Sequence, residues 1–322
     1  MINHPVEGII KKPIAKDKLI AMNTAKIINS TALNKMVIWL GEHLSPRAGY
    51  PVADFLADII SHRSNWAQPR ALRANLWVAT GCQKNDTELK KMVVENYRLS
   101  GRGYYDFYHL MHSPEEVLKR VEFEPEFQRI MDQAVARKHG TILALCHTGN
   151  QDLIGRAAVL RGMPLVAITA PEVFGSYSQA NAMRREFNLE AYPASMEAVK
   201  KSVEHLRNGG TVATGVDRPF PDSNYRPRFF GRPAGLPVGP VRMALRLGLP
   251  VFACGCHHWP DHHFSMWASE AIEMLKTGDP DQDVLVNAER VLAFFEQKIR
   301  QDPIQWAMFY PVWPDALEEM PK

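Results

Sequence analysis

The sequence lacks any run of about 18 uncharged apolar residues, which is the length that a membrane-spanning helix requires. Its first residues, MINHPVEGIIKKPIAKDK, also lack the apolar centre of a signal peptide. We therefore expect a soluble or peripheral protein. With 46% hydrophobic residues in 322 positions, the chain has enough apolar side chains for a full core, which excludes a disordered protein.

Cysteine is scarce, and internal repeats and low-complexity tracts are missing. The four cysteines, Cys82, Cys146, Cys254 and Cys256, are scattered without the spacing of a disulfide framework. This usage favours a reducing compartment, so we predict a cytoplasmic protein. The length fits one large domain, or one domain with a helical appendage.

Acidic residues are under-represented in the first 80 positions, where ten Lys and Arg stand against five Asp and Glu, a net charge of +5. Apolar residues recur there at helical spacing, in one stripe from Leu33 to Leu44 and another from Val52 to Ile60. The preferred interpretation is that both stripes pack on the main domain. A peripheral membrane contact through Ile38 and Trp39 is the alternative.

The periodicity changes near Gly140. Helical spacing dominates before it, over 69–80, 86–111 and 125–138, and apolar strands alternate with helices after it, at 141–147, 165–170, 211–217 and 250–257. Alternation of this kind predicts an α/β fold with a mainly parallel central sheet flanked by helices. We predict a helical N-terminal region over 1–140 packed on an α/β core over 141–322.

The segment TILALCHTGNQDLIGR (141–156) contains a candidate general base. A buried strand ends on His147, Gly149 and Asn150 break it, and Asp152 follows in the first turn of a helix. The segment TVATGVDRP ends a second strand on Asp217 in the same way. Because ligands of α/β sheets bind at such strand ends, both side chains are expected in one pocket.

Other patterns are more ambiguous. The loop RPRFFGRPAGLPVGP (226–240) either lines a groove for an alkyl chain or plugs the core with its aromatic residues. The run CGCHHWPDHH (254–263) contains zinc-type side chains but not the C-x-x-C spacing of structural zinc sites, so no metal is predicted. Cys146 is not expected to be a nucleophile, because adjacent strand residues point to opposite faces and it would point away from His147.

HTGNQD resembles the H-x-x-x-x-D/E signature of the glycerolipid acyltransferase superfamily. Further blocks resemble the branch that contains the bacterial lipid A biosynthesis late acyltransferases and the phosphatidylinositol mannoside acyltransferases. These blocks are RALRANL (70–76), MRRE (183–186), VDR (216–218), FFGRPA (229–234) and PIQW (303–306).

The resemblance implies transfer of a fatty acyl group from acyl-coenzyme A or acyl carrier protein to a hydroxyl of a membrane lipid or glycolipid. It implies a peripheral enzyme on the inner face of the cell membrane, without a cofactor and without a nucleic-acid partner.

His147 is then the general base, with Asp152 orienting its ring, and Asp217 either assists His147 or binds acceptor hydroxyls. The backbone amides at Gly149 and Asn150 are candidates to bind the oxyanion. The remaining substrate-binding candidates come from the resembling blocks: Arg184 and Arg185 for a phosphate, and Arg218, Phe230 and Gly231.

The chain departs from the family in two respects. Asp152 stands where the lipid A enzymes usually carry Glu, which favours the mannoside-like type, and the usual third residue after Asp217 and Arg218 is replaced by Pro219. The acceptor therefore cannot be transferred from the family. A catalytically silent or hydrolytic relative that binds acyl thioesters is the alternative function.

Overall fold

The computed structural model describes residues 31–170, 175–220 and 223–322, so the predictions for the first 30 residues lie outside it. The helices are α1 (Thr31–His43), α2 (Pro46–Ser61), α3 (Ala67–Ala79), α4 (Asp86–Leu110), α5 (Pro114–Arg120), α6 (Pro125–Val135), α7 (Gln151–Leu160), α8 (Gly175–Glu186), α9 (Met196–Arg207), α10 (Gly239–Leu247), α11 (Pro280–Gln301) and α12 (Ala316–Glu319). The strands are β1 (Val121–Phe123), β2 (Thr141–Leu145), β3 (Leu165–Thr169), β4 (Glu190–Pro193), β5 (Thr211–Gly215), β6 (Arg228–Phe229), β7 (Arg232–Pro233), β8 (Val251–His258) and β9 (Phe264–Ala268).

Seven strands form one sheet in the order β1-β9-β8-β2-β5-β3-β4, in which only the β8–β9 pair is antiparallel. The prediction of an α/β fold with a mainly parallel sheet and a helical N-terminal region is confirmed. The short β1 was not predicted, and it pairs with β9 although it precedes Gly140. The division at residue 140 is thus crossed by the sheet, and the two-part organisation stays a prediction.

The sheet places side by side the two strands that are followed by His147 and Asp217. β2 and β5 are parallel neighbours, and Leu145 is the partner of Gly215. Each strand is followed two residues later by an ionisable side chain, His147 in one case and Asp217 in the other. Because parallel strands in register end at the same edge, these two residues meet there.

The chain segment after α11 is held against this edge by buried asparagines of the N-terminal helices. The Asn96 amide donates to the carbonyl oxygens of Ile304 and Trp306, at 2.7 and 3.0 Å. The Asn75 amide donates to two further carbonyls of the segment, those of Met308 and Tyr310, each at 2.8 Å. The N-terminal helices therefore position the C-terminal segment, which in turn contacts the loop of His147.

The interpretation that the N-terminal apolar stripes pack on the main domain is wrong for several of their residues. Of the stripe residues, Met36 of α1 is 45% exposed and Phe55 of α2 is 65% exposed, and Trp39, which was named for the alternative membrane contact, is 55% exposed. Small residues take the packed face instead: a side-chain carbon on Gly49 would lie 2.1 Å from the Tyr105 ring of α4. Because a bare backbone allows the closest helix approach, α4 contacts the glycine face and leaves the large apolar side chains outside. Among the described residues, no helix is both long and apolar enough to cross a membrane.

We predict that Asn75→Ala lowers the free energy of unfolding by about 2 kcal/mol or more, because it leaves buried backbone groups unpaired. Besides donating two bonds, Asn75 accepts one from the Val312 amide, at 3.1 Å. Urea unfolding followed by tryptophan fluorescence measures the change. Asn224→Ala, at an exposed position, is the control and should alter stability by less than about 0.5 kcal/mol. Equal effects of the two substitutions would contradict the bracing role.

Candidate active site

The His147 side chain is held from one side and open on the other. Its Nδ1 lies 2.6 Å from Oδ1 of Asp217, and its side chain remains 38% exposed. The loop that carries it is fixed by the C-terminal segment, because the Ala307 amide donates to the His147 carbonyl at 2.8 Å and Thr148 forms a bridge with Trp306. The geometry therefore presents the second ring nitrogen, Nε2, as the atom that is left for a substrate.

Asp217 is fully buried, and each of its oxygens is hydrogen-bonded. Oδ1 faces the His147 ring, while Oδ2 accepts from the His147 backbone amide at 2.7 Å and from the Trp306 indole N–H at 2.8 Å. Burial alone would raise the pKa of Asp217, but the charge of His147 and these hydrogen bonds lower it below its usual value. The carboxylate is therefore the stable form.

The same contact acts on the base. Burial lowers the pKa of His147, but the charge of Asp217 and the hydrogen bond that Asp217 accepts from the ring act in the opposite direction and leave the pKa raised above its ordinary value. Arg218 acts against this rise and Asp152 adds to it, both as smaller charge effects. His147 is thus a stronger base than a free imidazole, and it is tied to one tautomer by its partner.

Asp152 does not accept a hydrogen bond from the His147 ring, contrary to the prediction. Its two carboxylate oxygens accept from Nε and Nη2 of Arg184, at 2.6 and 3.0 Å, and Nη1 of Arg184 donates to Asn181 at 2.7 Å. The position next to Nδ1 is already filled by Asp217. Asp152 therefore positions Arg184 and acts on His147 only through its charge.

Gly149 and Asn150 form the turn between β2 and α7. Gly149 has a φ of +58°, and a side-chain carbon there would lie 2.7 Å from the Cys256 sulfur, so only glycine fits. Asn150 caps α7 by accepting from the Leu153 amide, and its own backbone N–H bonds to Cys256. The backbone amide of Asn150 is thus directed into the protein and away from a bound oxyanion. The oxyanion role of the Gly149 backbone amide stays a prediction.

The other predicted residues are dispersed. Arg218 stacks on Tyr310, with its guanidinium carbon 4.0 Å from the ring centre, while Arg185 is exposed on the last turn of α8. Phe230 belongs to a buried aromatic group with Phe229, Trp306 and Trp313. Together these rings form a packed support behind Asp217, so Phe230 is part of the core and not of an alkyl groove.

Gly231 stands next to Phe230 in a tight two-residue turn between β6 and β7. Both residues have a positive φ, +75° for Gly231 and +51° for Phe230, which is the backbone of a type I′ hairpin. Gly231 is exposed. The structure explains this glycine by the turn that it forms, and its predicted role in substrate binding stays a prediction.

Trp306 is the residue of the site that the sequence reasoning missed. Its ring is fully buried, and its indole N–H is one of the donors to Asp217. The PIQW block was noted only as a resemblance, and no role followed from it. A signal for its role was its indole N–H, since a buried tryptophan usually has a hydrogen-bond partner for this group.

A narrow apolar recess lies between the sheet and α7, the helix that carries Asp152. Its lining includes Leu143 and Leu145 of β2, Ile154 of α7, Leu165 of β3 and Met266 of β9.

Cys146 is fully buried, and burial raises the pKa of its thiol well above the ordinary value. The thiol therefore stays protonated, consistent with the prediction that it is not a nucleophile.

Curated proteins similar to this chain are acyltransferases. The phosphatidylinositol mannoside acyltransferase of Mycobacterium tuberculosis (strain CDC 1551 / Oshkosh) is 27% identical over 195 residues, covering 59% of this chain and 59% of that protein. The protein of the same description from Mycolicibacterium smegmatis is 24% identical over 180 residues, covering 54% of this chain and 57% of its own length. The chain thus spans somewhat more than half the length of the curated relatives it matches.

Among solved structures, the 1-acyl-sn-glycerophosphate acyltransferase PlsC from Thermotoga maritima aligns with 78% of this chain and 98% of its own, at 12% identity and a TM-score of 0.35. That likeness is too weak to support a functional argument. The sequence pattern of the bacterial lipid A biosynthesis acyltransferases matches residues 24–314. This range contains His147, Asp152, Arg184 and Asp217, which confirms the resemblance noted in the sequence: the chain belongs to the bacterial lipid A biosynthesis acyltransferase family.

Proposed function

We propose that this protein moves a fatty acyl group from an acyl thioester to a hydroxyl of a membrane lipid or glycolipid, with His147 as general base. The observation that carries the proposal is the contact between His147 and the buried Asp217, on a ring that is still open to solvent. An alcohol is a weak nucleophile at neutral pH, and a positioned imidazole speeds its attack by about 10²- to 10⁴-fold.

The steps follow from the two ring nitrogens. Nδ1 of His147 donates to Asp217, so Nε2 has a lone pair and takes the proton of the acceptor hydroxyl while its oxygen attacks the thioester carbonyl. The carbon–sulfur bond of the tetrahedral intermediate then breaks, and the imidazolium returns the proton to the leaving thiolate. Asp217 stabilises the imidazolium formed between these steps.

The donor is proposed to be acyl-coenzyme A or acyl carrier protein. Both carry phosphate groups, which suit a guanidinium held in a defined orientation. Arg184 is such a group, because its side chain is mostly buried and is oriented by Asp152 and Asn181. The proposed acceptor is a lipid or glycolipid hydroxyl, in keeping with the names of the family and of its curated relatives.

A location on the inner face of the cell membrane, as a peripheral protein, is proposed from the surface of α1 and α2. Large apolar side chains stand out from both helices, notably Trp39 and Phe55, and the first 80 residues have a net charge of +5. Apolar side chains that insert between headgroups, together with basic charge, are what binds a protein to an anionic bilayer.

We predict that His147→Ala and Asp217→Asn each abolish most of the transfer activity. The loss in Asp217→Asn should reach about 10³- to 10⁴-fold, because the amide no longer holds the productive tautomer. Initial rates are measured with a palmitoyl thioester and candidate lysolipids, counting acylated lipid and free fatty acid separately. Free acid formed equally with and without acceptor would replace the transferase by the hydrolytic alternative.

The pH profile tests the role of Asp217 separately from folding. Since the raised pKa of His147 must be passed before the base is neutral, the activity of the wild type should rise with pH and reach half its maximum above about pH 6.5. In Asp217→Asn the burial of the ring remains and its counter-charge is gone, so the residual activity should reach half its maximum at lower pH. An unchanged pH of half-maximal activity in Asp217→Asn would contradict the role of Asp217 in raising the pKa of His147.

Asp152→Asn is predicted to behave differently from Asp217→Asn. The substitution removes the carboxylate that orients Arg184, so KM for the thioester should rise about tenfold or more. The pH at which kcat reaches half its maximum should move by much less than in Asp217→Asn. Arg184→Lys is the matched variant, because it keeps the charge and loses the bidentate contact. A collapse of kcat with a strongly shifted pH of half-maximal activity in Asp152→Asn would show that Asp152 acts directly on His147.

The membrane contact is predicted to depend on the exposed apolar residues. Trp39→Ser and Phe55→Ser should each weaken binding to vesicles of anionic phospholipid by about tenfold or more, because each removes a large apolar side chain from the bilayer. Vesicle co-sedimentation measures this. Met196→Ser is the control, since Met196 is 85% exposed on α9, and it should bind like the wild type if the contact is specific to α1 and α2.

A further inference from the structure

A second group of polar side chains lies where the β8–β9 hairpin meets α4, and the proposed reaction does not use it. It consists of Asp106, His258 and His262, which we call the hairpin cluster. One ligand-type atom from each residue lies within 4.8 Å of the other two. His258 Nε2 and Asp106 Oδ2 are 3.8 Å apart, too far for a hydrogen bond.

The polar atoms of this cluster are buried without partners. Among the described residues, Asp106 Oδ2, His258 Nε2 and His262 Nδ1 have no hydrogen bond, and the Asp106 and His258 side chains are 0% and 1% exposed. Each unpaired buried polar atom costs about 1 to 3 kcal/mol. Unpaired buried atoms on three residues whose ligand-type atoms lie within 4.8 Å of one another indicate a missing partner common to all three.

The remaining contacts of these residues direct the same atoms into the cluster. The Leu99 backbone interacts with the His258 ring, and Nε2 is the ring nitrogen that is left without a partner. Asp106 Oδ1 accepts from the Tyr50 hydroxyl at 2.7 Å, which leaves Oδ2 turned inward. Outer hydrogen bonds of this kind are what orient the ligands of a metal ion.

His262 is held by its backbone and by stacking. It has a φ of +64°, a left-handed conformation that costs roughly 1 to 2 kcal/mol for a residue with a side chain. Its ring stacks on Tyr50, with 3.6 Å between ring centres. Strain of this kind persists where the surroundings demand the side chain at one place, here beside His258 and Asp106.

We propose that Asp106, His258 and His262 bind a divalent transition-metal ion of the Zn²⁺ class. Two imidazoles and one carboxylate form a common zinc donor set, and water completes the tetrahedron. Tetrahedral ligands 2.0–2.1 Å from zinc lie about 3.3 Å from one another, so side-chain rotations must close the 3.8 Å between His258 and Asp106 and the separations from His262, which are within 4.8 Å.

Two nearby arginines do not compete for the carboxylate oxygen that faces the cluster. Arg102 is engaged by both oxygens of Asp54, at 2.7 and 2.6 Å. Arg120 donates to the Tyr50 hydroxyl at 2.9 Å and lies 3.5 Å from the outer oxygen of Asp106. Their positive charge opposes any bound cation, and the two imidazole donors of the cluster favour Zn²⁺ over Ca²⁺ or Mg²⁺, which prefer oxygen ligands.

This inference revises the sequence-level prediction that the run at 254–263 holds no metal. That prediction rested on the missing C-x-x-C spacing of the run, and Cys254 and Cys256 pack in the core. Two histidines of the run instead combine with Asp106 of α4, a partner that local spacing cannot show. The bound ion would fasten the hairpin to the helix whose Gly103 carbonyl accepts from the Asn150 side chain beside the active site.

The test uses the tag-free full-length protein. Zinc affinity is measured by competition with a chromophoric chelator, metal content by mass spectrometry, and stability by thermal unfolding with and without added Zn²⁺. The wild type should bind one equivalent and unfold at higher temperature with zinc. His262→Gly should bind at least tenfold more weakly yet stay folded, because glycine accepts the positive φ without strain.

His263→Ala is the matched control. His263 is the next residue of the same turn, pairs with Asp261 at 2.6 Å and lies outside the cluster, so its loss should leave zinc binding unchanged. If the wild type does not bind zinc, and its unfolding temperature does not depend on zinc, the proposal is overturned in favour of a direct Asp106–His258 hydrogen bond. Equal zinc affinity of His262→Gly and the wild type would overturn it as well.

Discussion

The arrangement at the strand ends depends on one buried charge, the carboxylate of Asp217. A carboxylate without water is tolerated only where hydrogen bonds and an opposite charge replace its hydration. Here the replacement comes from His147, through its ring and its backbone amide, and from the indole of Trp306. Removing any one donor leaves a costly charge, so the loop after β2 and the C-terminal segment are both tied to Asp217.

That requirement explains why distant parts of the chain are packed together. Trp306 reaches Asp217 only because its segment is held by the buried Asn96 of α4, and the next turn of that segment by Asn75 of α3. The helical N-terminal region thus supports the candidate active site from behind. A long helix that buries asparagine among apolar residues does so because the backbone groups of an irregular segment need partners.

The same helix connects the two polar sites proposed here. Gly103 of α4 accepts a hydrogen bond from Asn150, the cap of α7, and Asp106 follows one turn later in the hairpin cluster. Glycines of α1 and α2 that pack against tyrosine side chains of α4 bring these helices close together and leave the larger apolar side chains of α1 and α2 on the surface. One helix therefore joins the proposed membrane-facing surface, the proposed metal site and the loop of the proposed general base.

Local patterns in the sequence were sufficient for β2, β3, β5 and β8 of the sheet, for the helical character of the N-terminal region and for the strand ends on which His147 and Asp217 stand, because apolar periodicity and turn residues act over a few positions. The pairing of those two residues required the order and register of β2 and β5. The contact of Asp152 with Arg184, the place of Trp306 and the meeting of Asp106 with two histidines of the hairpin joined residues far apart in the chain. Such contacts are decided by the packing of whole elements, which no local spacing encodes.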